Sequence, residues 1–347
     1  MRYSVIVPVY NRPEEVKELL ESLCAQTFRD FEVVLVEDGS SIPCSDVADA
    51  FRNRLDINYF TKENSGPGQT RNFGASHASG DYLIILDSDV MVPPGYFEAI
   101  ETELLREPAD AFGGPDRAHP DFTPVQKAIN YAMTSFFTTG GIRGGKVKMD
   151  KFYPRSFNLG ISADAYKALG GFSRMRFGED IDLSIRIFDA GYKCRLFPEA
   201  WVWHKRRTNL KKFFKQVHNS GIARINLYKK YPSSLKLVHL LPAVFTIGIA
   251  LLLLVALPLL LVLNCCSGSL SWWGAALIAL SPVLLWATAV FTDASARNRS
   301  LHIGLLSVAA SFVQLTGYGT GFLRAWWLRC LLSRNEELQA FQKTFYK

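Results

Sequence analysis

From Leu237 to Leu263 the chain carries no Asp, Glu, Lys or Arg, and this run constrains its fold more than any other feature. As a helix it would reach roughly 40 Å, enough to cross a bilayer with tilt. A second uncharged run extends from Leu270 to Phe291. A third, Leu301 to Leu323, is more polar, with Gln314, Thr316 and Gly304, Gly317, Gly319 and Gly321. Two membrane spans are expected, with the third run a further candidate. The alternative, a buried hairpin in a soluble protein, is disfavoured because uncharged runs of this length are costly in water.

Charge around these runs suggests an orientation. Lys229, Lys230 and Lys236 precede the first, the loop Asn264 to Ser269 is uncharged, and Arg297 and Arg299 follow the second. That matches an excess of positive charge on the cytoplasmic side. Arg324, Arg329 and Arg334 do not fit three full spans. Either the third run is re-entrant or interfacial, or the tail lies outside. Met1 to Tyr10 reads as a strand without a basic leader segment, so the residues before the first span are expected in the cytoplasm. The six cysteines show neither metal-ligand spacing nor a pairing pattern, and are expected as reduced or membrane-embedded thiols.

Between Ala200 and Lys236 there is no acidic residue, while Lys211, Lys212, Lys215, Arg224, Lys229 and Lys230 interleave with Leu210, Phe213, Phe214, Val217, Ile225 and Tyr228. The pattern predicts an amphipathic helix on an anionic membrane surface. A basic patch also suits nucleic acid, but adjacency to the first span favours the membrane, and no nucleic-acid partner is expected.

Upstream, apolar runs at Tyr3 to Val9, Phe31 to Val36, Ile57 to Phe60 and Tyr82 to Leu86 alternate with helical patterns. This is the signature of an α/β fold with a mostly parallel central sheet. Asn11 to Glu14 reads as a capping box that starts the first helix. Ser65 to Gly68 opens another helix, whose amides could meet an anion. Asp116 to Lys151, rich in Gly, basic and aromatic residues, is expected as a loop or partial lid.

The strand ending in Leu86 is followed by Asp87 and Asp89. Side chains two apart in an extended segment point the same way, so the two carboxylates converge where strand ends open into a ligand crevice. Such a pair suits Mg²⁺ or Mn²⁺ held against a diphosphate; a solvated turn is the bland alternative. Glu179 and Asp180 open a further helix, where a helix dipole favours acidic residues in any case.

Taken in order, Val5-Ile-Val-Pro-Val-Tyr-Asn11, Val36-Glu-Asp-Gly-Ser40, Gly68-Gln-Thr-Arg-Asn72, Ile85-Leu-Asp-Ser-Asp89, Asn158-Leu-Gly-Ile-Ser162, Gly170-Gly-Phe172 and Gly178-Glu-Asp-Ile-Asp-Leu183, ending near Trp203-His204, resemble the family 2 glycosyltransferases. The resemblance covers about residues 3 to 205 and implies a GT-A fold, a nucleotide-sugar donor and inversion at the anomeric carbon. It implies that Pro8, Tyr10 and Asn11 line the base pocket, Asp38 bonds the nucleobase, Arg71 lies near the diphosphate and Asp87 meets the ribose or sugar. Asp89 would bind the divalent metal and His204 would approach the metal or diphosphate. Asp180 matches the general base, with Glu179 as its neighbour. Direct displacement needs a base for the acceptor hydroxyl and a cation opposite it on the departing diphosphate, which these residue types supply.

Departures are Glu37, where many relatives carry Asp, and Ser173-Arg174, where an acidic residue is common. The Gln-x-x-Arg-Trp motif of processive synthases is missing, so one sugar is expected per encounter. The organisation expected is a catalytic domain over 1–205, a basic interfacial region over 206–236, two or three membrane helices over 237–325 and a polar tail over 326–347. The activity expected is metal-assisted transfer from a nucleotide diphosphate sugar to a lipid-linked or cell-envelope glycan at the cytoplasmic membrane. A polyprenyl-phosphate glycosyltransferase is the near alternative and a catalytically inactive membrane scaffold the distant one. A sugar-nucleotide pyrophosphorylase is excluded by the missing Gly-rich N-terminal loop.

Overall fold

The structure, a computed structural model, describes residues 2–140, 152–267 and 272–338. The chain forms two compact units, one of residues 1–120 with 150–205 and one of residues 121–149 with 206–347.

The first unit begins β1 (Tyr3–Val9), α1 (Pro13–Cys24), β2 (Phe31–Asp38), α2 (Ser45–Phe51), β3 (Asp56–Lys62), α3 (Pro67–Ser76) and β4 (Tyr82–Leu86). It continues with β5 (Val90–Met91), α4 (Tyr96–Arg106), β6 (Ala111–Gly113) and β7 (Asp116–Arg117). The second unit then takes α5 (Pro124–Thr134) and α6 (Phe136–Thr139). The first unit resumes with β8 (Asn158–Ser162), α7 (Ala163–Ala168), α8 (Glu179–Asp189), β9 (Cys194–Leu196) and β10 (Val202–His204).

One seven-stranded sheet runs in the order β3-β2-β1-β4-β8-β6-β9. Its pairs are parallel except those of β8 with β4 and β6. Alternation along β1 sends Val5, Val7 and Val9 to the face covered by Val16, Leu19 and Leu20 of α1. Ile6 goes to the opposite face, with Val34, Val36, Ile85 and Leu183 of α8. The four predicted parallel strands are present; β1, β2 and β4 are buried on both faces of the sheet, while β3, at its edge, buries only Ile57 fully. A small second sheet, β5-β10-β7, is built beyond the end of β4.

Two local expectations are corrected. Asn11 does not cap α1: its φ is +54°, and its Oδ1 accepts instead from the amides of Ser41 at 2.8 Å and Ile42 at 2.9 Å. The segment expected as a loop is helical over Pro124–Thr134, where Thr123 and Gln126 form a capping box and Ala128, Ile129 and Ala132 are buried. Residues 141–151 of that segment lie outside the described residues.

The second unit adds α9 (Leu210–Lys230), α10 (Leu241–Leu251), α11 (Leu257–Ser267), α12 (Trp272–Asn298) and α13 (Leu301–Trp326). Among the described residues, three helical segments are long and apolar enough to cross a membrane: Leu237–Cys265, Ala276–Asn298 and Leu301–Leu331. α9 buries Phe213 and Val217 with Ala128, Ile129 and Ala132 of α5 and Ala310 of α13.

Candidate active site

The site forms where β1, β2 and β4 end and α3 and α8 begin. β4 stops at Leu86 because the chain turns there, with Val90 N–H bonded to the Asp87 carbonyl at 3.3 Å. β5 then pairs antiparallel with β10, setting Val90 opposite His204. Asp87, Asp89 and His204 are thereby brought together, each offering a ligand atom within 4.8 Å of the others. Asp89 Oδ1 lies 3.3 Å from His204 Nε2. The other imidazole nitrogen, Nδ1, faces Asp116 Oδ2 at 3.9 Å, and the ring packs against Phe157.

Two carboxylates and an imidazole backed by a further carboxylate fit a divalent cation such as Mn²⁺ or Mg²⁺. Hard oxygen donors suit both ions, and the nitrogen favours Mn²⁺. Asp89 and His204, expected at the metal, thus lie beside Asp87, expected at the ribose or sugar. Arg12 was not foreseen: its guanidinium forms an ion pair with Asp89 Oδ2, both side chains being largely buried.

Arg71 projects from α3 between two other predicted residues. Its Nη2 donates to Asp87 at 2.6 Å and its Nη1 to Glu179 at 3.1 Å, while Phe172 packs under the guanidinium at 5.2 Å. The cation is buried, so two carboxylates offset the cost of removing it from water. Glu179 is buried at the start of α8, which Gly178 introduces at φ +85°, a conformation suited to glycine. Burial, reinforced by the neighbouring Asp180 charge and opposed by Arg71, pushes the Glu179 carboxyl up to about 7. Asp180 Oδ2 accepts from Arg155 Nη1 at 3.0 Å, and its Oδ1 accepts from Ile181 N–H at 2.8 Å. That leaves Asp180 oriented by a cation on one side and its own helix on the other.

The other predicted residues lie at the ends of β1 and β2. Pro8 pairs in register with Val36, and Tyr10 follows the strand, half-buried. Asp38 accepts from Lys62 Nζ at 3.0 Å and from the amides of Ser65 at 2.8 Å and Gly66 at 2.9 Å. The opening of α3 is thus already satisfied by a carboxylate of this chain. Glu37 is buried and accepts from Cys44 N–H at 2.7 Å and from Ser40 Oγ, so it holds the loop that Asn11 also grips.

Sequence analysis missed Arg12, Lys62, Asp116 and Arg155. Arg12 directly follows the Asn11 motif and could have been picked out there. Asp116 and Arg155 flank a segment without periodicity, where no local signal exists.

The doubly wound, mostly parallel sheet with an Asp-x-Asp turn at a strand end defines a GT-A glycosyltransferase fold. Residues 4–167 match the family described as Glycosyl transferase family 2. Among the relatives, an uncharacterized glycosyltransferase of Rickettsia felis is 39% identical over 137 residues, covering 40% of this chain and 22% of the relative. A poly(ribitol-phosphate) beta-N-acetylglucosaminyltransferase, TarS of Staphylococcus aureus, is 39% identical over 135 residues, covering 38% of this chain and 22% of TarS. The chain thus spans less than a quarter of the length of these curated relatives. Among solved structures, the mannosyltransferase PcManGT of Pyrobaculum calidifontis, in complex with GDP-Man and Mn²⁺, has a TM-score of 0.58 at 18% identity, covering 90% of this chain and 87% of that one. That likeness concerns the fold.

Proposed function

We propose that this chain is a membrane-anchored, inverting glycosyltransferase that moves one sugar per encounter from a nucleotide diphosphate sugar to a lipid-linked or cell-envelope glycan. The observation that carries the reading is Arg71, which touches Asp87 on one side and Glu179 on the other. It supports a single site in which donor-side and acceptor-side carboxylates are neighbours.

Asp87, Asp89 and His204 would hold Mn²⁺ or Mg²⁺, which when bound supplies positive charge to the departing diphosphate. Asp180 would accept the acceptor hydroxyl proton as that oxygen bonds to the anomeric carbon and the bond from that carbon to the diphosphate breaks. Arg155 would keep Asp180 aimed. Arg12 and Arg71 would add fixed cationic charge near the diphosphate. Pro8, Tyr10, Asn11 and Asp38 would border the nucleobase; since Asp38 is held by three donors of this chain, it would offer a remaining lone pair to a base N–H.

The anchor is supported by the uncharged segments within 237–298 and the basic stretch before them. The catalytic segment would face the cytoplasm, the side of Lys229, Lys230 and Lys236. The TarS relative, a transferase to poly(ribitol-phosphate), agrees with an envelope acceptor. Calorimetric titration of the detergent-purified full chain with UDP, GDP and their sugar forms, with Mn²⁺ or with chelator, tests the reading. Metal-dependent binding of one nucleotide is expected; no binding under any metal condition would return the chain to the scaffold alternative.

A further inference from the structure

We propose that α13 does not cross the bilayer and that only the hairpin of α10–α11 with α12 inserts, so that both ends of α13 lie on the side of α9. The inference rests on the membrane reading above and concerns which part of the second unit meets lipid.

The three apolar segments differ in their surroundings. In the most apolar window of Leu237–Cys265, with mean hydropathy 2.9, 0% of residues are buried within the protein; for Ala276–Asn298, at 1.7, the share is 6%. For Leu301–Leu331, at 1.3, it is 44%. The first two segments therefore leave most of their surface uncovered by protein, whereas nearly half of the α13 window is buried within it.

Much of what covers α13 is α9. A Cβ at Gly221 would lie 2.7 Å from Phe322 N, one at Gly317 2.6 Å from Val217 Cγ2, and one at Gly321 2.9 Å from the His218 carbonyl carbon. The two backbones are therefore in contact, and since 217, 218 and 221 meet 317, 321 and 322, they run side by side in the same direction. Farther on, Arg329 Nη1 donates to Asn226 Oδ1 at 2.8 Å.

α9 cannot be a span. It carries Lys211, Lys212 and Lys215 at one end and Arg224, Lys229 and Lys230 at the other, and the uncharged stretch between is far shorter than the roughly 20 residues a crossing needs. Each such charge at mid-bilayer disfavours insertion. A helix pressed along α9 shares its depth, so this part of α13 stays at the surface too.

Contacts between α13 and the hairpin agree with that placement. Phe312 packs on Phe245 and Trp286, a Cβ at Gly304 would lie 3.1 Å from the Phe291 carbonyl oxygen, and one at Gly319 would lie 2.9 Å from the Pro242 carbonyl carbon. These partners sit in the first turns of α10 and the latter half of α12, which is one end of the hairpin. Beyond them Leu251, Leu254, Leu259, Leu263, Leu277 and Leu285 are exposed. From Ile247 to Ser267 the helix still reaches about 30 Å, one hydrocarbon thickness. Arg324, Arg329 and Arg334 then fall on the same side as Lys229, Lys230, Arg297 and Arg299, and the conflict that three spans create with the charge rule disappears.

The test uses full-length chains with the native cysteines replaced and one probe cysteine added by Ser269→Cys, Arg299→Cys or Glu337→Cys. Each is labelled with a membrane-impermeant maleimide in intact spheroplasts and in inverted vesicles. Two spans predict that Arg299→Cys and Glu337→Cys react from the same side and Ser269→Cys from the other. Reaction of Arg299→Cys and Glu337→Cys from opposite sides would overturn the proposal. Alkaline carbonate extraction separates the other failure, since release of the chain would remove the membrane reading itself. Should the cysteine-replaced chain not fold, a fluorescent-protein fusion to the C-terminus of the unaltered chain decides: fluorescence supports two spans, and a dark fusion with alkaline-phosphatase activity in its counterpart refutes them.

Discussion

The Arg12 guanidinium sits on Asp89 Oδ2 while His204 Nε2 approaches Oδ1 of the same carboxylate at 3.3 Å. One proposed metal ligand is thus shared between a fixed cation and the imidazole beside it. A divalent ion entering here must compete with Arg12 for Asp89. Partly buried pairs of this kind are worth on the order of 1 kcal/mol. Arg12→Ala should therefore tighten Mn²⁺ binding to the nucleotide-free protein by roughly five- to tenfold, read by calorimetry. Unchanged or weaker binding would show that Arg12 does not compete with the ion.

Asp89→Asn and Asp180→Asn should fail differently. The first removes a proposed ligand, so metal-dependent nucleotide binding should be lost with turnover. The second removes the proposed base, and turnover should fall by about 10²-fold or more with donor affinity retained. Binding titrations beside rate measurements separate the two, with thermal melting to confirm folding. Full turnover by Asp180→Asn would exclude it as the base.

Glu179 makes stability depend on pH in a defined direction. Its carboxyl is raised from 4.5 to about 7 in the folded protein, first by burial and then by Asp180. Between those values the folded state holds a proton that the unfolded state has released. Its contribution is thus full below pH 4.5 and lost as pH rises through about 7. Glu179→Gln keeps the neutral form and should flatten this part of the profile, as measured by chemical denaturation at pH 5 to pH 8. An unchanged slope would place the proton elsewhere.

Gly114 follows β6 at the crossing of β6, β8 and the approach to β10. A Cβ there would overlap the Ala200 carbonyl and the Asn158 amide. The same Asn158 amide donates to Ala200 O at 2.8 Å, and its Oδ1 accepts from Tyr96 OH at 2.6 Å. Gly114→Ala should destabilise the first unit by about 3 kcal/mol, since backbone must move and a buried hydrogen-bond network with it. A melting temperature like that of the unaltered chain would contradict this packing.

Much of this molecule was legible from residue order. Tyr3–Val9, Phe31–Asp38 and Tyr82–Leu86 announce themselves because strands buried on both faces need continuous apolar runs bounded by turns. Asp87 and Asp89 were readable as a converging pair because alternation in an extended chain is a local rule. The uncharged segments were readable as helices long and apolar enough to cross a membrane because length and composition are properties of the sequence itself.

The rest depended on contacts between distant positions. Arg12 meets Asp89, Arg71 bridges Asp87 and Glu179, and Arg155 meets Asp180; nothing in the spacing of these residues specifies such pairs. Asn11 carried a capping signal, yet a left-handed backbone turned its amide to the next loop. The third apolar run was legible as a candidate span, but its close packing on α9 at Gly317 and Gly321 was not. Composition and periodicity determine which segments must leave water; which surface they meet when they leave it is decided by packing, a property of the folded chain as a whole.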